Sequence, residues 1–106
     1  MMTWSEMMET EFGYKTKTTF WDDFSIAEAY GEKAIIDTYD RAFKEWKSDV
    51  EYLTELVLVL NHKIWAYYQT NVQLGELYNT LWDKTHTWCL DHLKGDDLTY
   101  YWQTKD

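Results

Sequence analysis

At 106 residues and 12.9 kDa the chain is the size of one domain. Nineteen Asp and Glu against ten Lys and Arg leave a formal charge of −9, which sets phosphate backbones and anionic lipid against it. A hydrophobic fraction of 45%, no Pro, four Gly and one Cys exclude a disordered acidic tail, a collagenous chain and an internal disulfide framework.

Thr3 and Glu6 fit a capping box, and Trp4, Met7, Met8 and Phe12 follow at helical spacing up to Gly13. Tyr14 to Thr18 alternates like a strand but has no convincing mate, so it reads as an extended connector. Thr19 is the expected N-cap of the next helix, with Asp22 and Asp23 at its positive end. Phe20, Trp21, Phe24, Ala27 and Tyr30 mark its apolar side and Gly31 its end. A helix from Glu32 or Lys33 to about Lys47 turns Ile35, Ile36, Tyr39, Ala42, Phe43 and Trp46 inward. Its solvated side carries Asp37 with Arg41 and Asp40 with Lys44 at i,i+4.

Ser48 and Glu51 form a second capping box ahead of the most apolar segment, roughly Val50 to Gln69. Its stripe of Leu53, Leu56, Val57, Leu60, Ile64 and Tyr67 is widened by Leu58, Val59 and Trp65, the mark of a central helix. Thr70 and Gln73 form a third box, opening a helix to about Lys94 with Leu74, Leu77, Leu81, Thr85, Trp88 and His92 on one face. Gly95 supplies its stop, and Asp96 or Asp97 caps a short helix holding Leu98, Tyr101 and Trp102. The expected fold is all-α. It is one compact antiparallel bundle of three longer helices plus short N-terminal and C-terminal ones. Residues 1–18 are the short helix and connector, 19–94 the bundle core and 95–106 the C-terminal short helix.

The longest apolar run, Leu56 to Leu60, is far below the roughly 20 residues a membrane-spanning helix needs. Met1 to Glu6 carries no base and leads into no apolar stretch, which argues against a secretory signal. With a single Cys, a reducing cytoplasm is the expected location.

Thr18-Thr19-Phe20-Trp21-Asp22-Asp23-Phe24, Arg41-Ala42-Phe43-Lys44-Glu45-Trp46-Lys47 and Leu53 to Asn61 form a pattern. It resembles a family of small uncharacterised proteins from bacteriophages and gut bacteria, over about residues 15–105. The resemblance implies a phage-linked origin and a helical fold. It carries no activity and no functional residues. By analogy, a phage link favours an anti-defence inhibitor.

Reactive groups are few. His86, Cys89 and His92 sit at i, i+3 and i+6 of one helix, so the two imidazoles point about 240° apart. Cys89 and His92 are close enough to share a metal with a distant carboxylate, but a small core thiol and a ring near the negative helix end explain them more simply. Glu51, Glu55 and His62 share one side of the central helix, yet no Glu-x-x-His of a di-iron bundle occurs. Neither a Gly-x-Ser-x-Gly elbow nor a phosphate loop is present, and Asp22-Asp23 and Asp96-Asp97 stand where first-turn acids are favoured. No catalytic residue, cofactor or metal is therefore assigned.

Two surface features remain. Residues 20–55 hold ten acids and four bases, so this segment alone carries −6. Asp22, Asp23, Glu28, Glu32, Asp37, Asp40 and Glu45 would form an acidic face for a basic protein, such as a nuclease or another nucleic-acid-binding protein. Direct binding of nucleic acid or membrane is not expected. The seven Trp and nine Tyr exceed what so small a core requires, and Tyr100, Tyr101 and Trp102 are the first choice for an aromatic contact surface or homodimer seam. The reading is a non-enzymatic interaction protein inhibiting its partner. Alternatives are a self-associating accessory subunit, or a small metal-assisted enzyme built on Cys89 and His92.

Overall fold

The computed structural model describes residues 18–104, which contain five α-helices and no strand. These are α1 (Phe20–Glu28), α2 (Glu32–Trp46), α3 (Val50–Tyr67), α4 (Val72–His92) and α5 (Asp96–Thr104). The helix expected between Thr3 and Phe12, and the connector apart from Thr18, lie outside the described residues.

Helix α1 starts after Thr19 as expected, whereas the caps of α3 and α4 stand one residue later than expected. Thr19 caps α1 by position only: the Phe20 amide donates to Thr18 Oγ1 at 3.2 Å, while the Thr19 hydroxyl donates to Asp23 Oδ2 at 2.8 Å. At α3 the cap is Asp49, whose Oδ1 accepts from Glu51 and Tyr52, instead of Ser48. At α4 Asn71 accepts from the Leu74 amide at 3.2 Å, and the Thr70 hydroxyl turns back to the Ala66 carbonyl. At α3 and α4 the reason is shared: an Asp or Asn carboxyl or amide oxygen standing one residue later reaches the same orphan amides that a Ser or Thr hydroxyl would. Gly31 does not end α1 directly. It opens α2 from a left-handed φ of 111°, with Ala29 and Tyr30 turning between the two helices.

Helix α3 is the centre. Every residue from Leu53 to Leu60 is buried, Thr54 and Glu55 included. One core cluster joins Phe20, Trp21 and Phe24 of α1 to Ile35 and Tyr39 of α2, with α3 and α4 contributing Leu56, Leu60, Tyr78 and Leu81. A second gathers Leu53 and Val57 of α3, Cys89 of α4 with its C-cap Leu93, and Tyr101 of α5, with Phe43 and Trp82 packed against both. Tyr67 stacks on Tyr78 where α3 ends and α4 begins, and Gly75 lies against the Tyr67 carbonyl, where a Cβ would already be in van der Waals contact.

The expected stripes need three corrections. Ile36 is 39% exposed, Trp65 70% and Tyr30 81%. Ile36 and Trp65 stand at the edges of their stripes, and Tyr30 lies past the end of α1 in the turn to α2. No helix among the described residues is long and apolar enough to cross a membrane.

Candidate functional site

The seven acids expected to form one face are divided by the fold. Glu28 faces inward. Its carboxylate accepts from Tyr67 Oη at 2.7 Å and Tyr78 Oη at 2.6 Å, and pairs with Lys63 Nζ at 3.2 Å. Lys63 is completely buried and also donates to Ser25 Oγ at 3.0 Å. Burial lowers the Lys63 pKa, and Glu28 together with Asp22 opposes that shift. Both phenols are held well above the ordinary tyrosine range, by burial first and then by the Glu28 carboxylate. This hub ties α1 to α3 and α4.

The hub brings a serine and a lysine together but does not activate the serine. The Ser25 hydroxyl donates to the Trp21 carbonyl at 2.9 Å, while Lys63 donates to Ser25 Oγ. The serine proton is thus directed at backbone and the lysine is paired with Glu28, an arrangement of structural hydrogen bonds.

The other reactive candidates are also built into structure. Cys89 is fully buried beside Tyr101, and burial pushes its thiol up to about 12. A nucleophilic or metal-binding cysteine needs the opposite shift. The Tyr101 hydroxyl lies 2.5 Å from His86 Nδ1, and His86 stacks on Trp82. His92 points away from Cys89, stacked on Trp88 with Nδ1 3.0 Å from the Trp88 carbonyl. Glu55 is buried in α3, Glu51 is exposed and His62 packs edge-on against Trp21, so the three do not converge. Among the described residues no three His, Cys, Asp or Glu side chains are placed to hold a metal ion.

The C-terminal aromatic trio separates as well. Tyr101 is fully buried and Tyr100 half-buried, leaving Trp102, 46% exposed, as the ring that reaches solvent. In a nine-residue helix one face must anchor the helix to the core, and that face takes Tyr101.

What remains open is a groove of about 650 Å³ between α1 and α2. Its small-residue lining comes from Ala27, Ala34, Thr38 and Ala42, its exposed apolar side chains are Ile26 and Tyr30, and Trp46 also contributes. Asp23, Asp37 and Glu45 line it too, with Arg41 the base among the lining residues. Three of the expected acids therefore meet at one surface. Glu32 and Asp40 are exposed elsewhere on α2, and Asp22 is half-buried near Lys63. A second hollow of about 550 Å³ lies at the α3–α4 elbow, walled by Ile64, Tyr68 and Val72.

Comparison with protein-family models, curated proteins and solved structures gives no match. The hub escaped the sequence reading although its signal was there. Glu28 follows Trp21 and Phe24 on the apolar side of α1, and Lys63 falls between Leu60 and Tyr67 on the α3 stripe. Two opposite charges on inward faces mark a buried pair.

Proposed function

We propose that the protein is a non-enzymatic interaction module, a bundle of three longer antiparallel helices with shorter ones packed at its ends, whose acidic α1–α2 surface binds a basic protein. The observation carrying this reading is the groove, where Asp23, Asp37 and Glu45 border exposed apolar side chains. The consumption of Ser25, Lys63, Cys89 and the histidines in structural contacts supports it from the other side. Complementary charge steers association and makes it salt-dependent. A nucleic-acid-handling or host-defence protein is the partner class this chemistry suits, because such proteins carry basic channels. A phage-linked inhibitor acting in the cytoplasm is the corresponding biological reading.

The test is capture of partners from the producing cell by the full chain, washed at about 0.05 M and about 0.5 M salt, where the screening length falls from above 10 Å to below 5 Å. A basic protein retained at low salt and released at high salt is expected. A partner held equally in both washes, or an acidic one, contradicts the reading.

A further inference from the structure

We propose that the α1–α2 groove takes an amphipathic, Lys- and Arg-bearing helix of the partner, laid along α2 with its apolar side down. The inference rests on the acidic-surface reading and names what occupies it. Ala34, Thr38 and Ala42 recur every four residues on α2, forming one line of small side chains, and Ala27 of α1 adds to that lining. Such a lining lets a second backbone approach closely, and a rod-like helix fills the groove where a flat or concave partner surface would leave it unfilled. Ile26 and Tyr30 stand 60% and 81% exposed beside it, two large apolar side chains that no helix among the described residues covers. Helix α2 has 15 residues, a length of about 22 Å, which matches a partner helix of about four turns.

The charges choose the occupant. Asp37, whose carboxylate also meets the exposed Lys33 ammonium at 3.4 Å, and Glu45 lie eight residues apart on α2, about 12 Å along the axis. A helix lying parallel or antiparallel to α2 meets both with bases seven or eight residues apart, and Asp23 of α1 offers a third site across the groove. Nucleic acid is repelled by this lining. A second copy of the chain would bring its own formal charge of −9 toward it. The elbow hollow has Glu76 as the one charged residue lining it and exerts no comparable selection.

The experiment titrates the ¹⁵N-labelled full chain with a synthetic 16-residue peptide, leucines at helical spacing on one side and arginines on the other. Two controls are a peptide with Glu in place of every Arg and a scrambled peptide of the original composition. Saturable binding with amide shifts centred on α1 and α2 is expected, at least tenfold weaker for both control peptides. Ile26→Ala/Tyr30→Ala changes two exposed side chains, keeps the helical circular dichroism, and weakens binding at least tenfold. Trp65→Ala/Tyr68→Ala at the elbow leaves it unchanged. Shifts centred on the elbow, equal binding of the scrambled peptide, or no saturable binding overturns the groove proposal. A captured partner that still dissociates with salt would then leave the acidic-surface reading standing. A partner insensitive to salt removes that reading itself.

Discussion

Glu28 shows how much of this molecule is decided by single side chains. Its two oxygens serve Tyr67, Tyr78 and Lys63, and Lys63 has no exposure to water. Removing one member of a buried pair leaves the other charge uncompensated, at a cost of about 3–5 kcal/mol. Glu28→Ala should therefore lower stability by about that amount in urea unfolding. Glu28→Leu combined with Lys63→Met should cost less than the two single changes together, and strict additivity would contradict the pairing. Tyr39, Tyr78, Tyr101 and Cys89 are all raised by burial. In the unfolded chain cysteine and tyrosine ionise near about 8.5 and about 10. Above those values the unfolded state has released protons that the native state keeps, so stability is full below them and falls as pH rises through them. The urea midpoint should decline from about pH 9 upward; a midpoint flat to pH 11 would contradict the assigned burial.

At the scale of elements, the competing capping positions make a sharp comparison. Asp49→Ala and Asn71→Ala should each cost about 0.5–2 kcal/mol, while Ser48→Ala and Thr70→Ala should stay within about 0.5 kcal/mol. A larger loss at Ser48 or Thr70 than at its neighbour would place the caps where the sequence pattern first suggested, and equal losses would contradict the assignment of either one. Gly31 holds a left-handed φ with nothing near its missing Cβ, so Gly31→Ala meets backbone strain without a clash. A loss of about 1–3 kcal/mol is expected in thermal or urea unfolding. Helix existence was legible because Leu53 to Leu60 and the Gly31 and Gly95 punctuation are strong local signals. Cap identity was not, because Ser48-Asp49 and Thr70-Asn71 each offer two competent acceptors in succession. The outward turn of Trp65 and the inward turn of Tyr101 depend on which neighbours the helices meet, and helical periodicity does not contain that information.

For the whole molecule, the same distinction explains what was readable of the surface. The excess of acids over residues 20–55 could be counted, whereas its division between the Lys63 hub and the groove required the packing of α1 on α2 and α3. Among the described residues Ser25, Cys89, His62, His86 and His92 make contacts within the fold, and Asp23, Asp37 and Glu45 stand beside apolar side chains at one groove. The most direct measurement is the salt dependence of affinity for the captured partner, compared between the native chain and Asp23→Asn/Asp37→Asn/Glu45→Gln. The variant should remain folded, bind at least tenfold more weakly at low salt, and lose most of the slope of log Kd against log salt. An unchanged affinity and slope would show that the partner is recognised somewhere other than the α1–α2 groove.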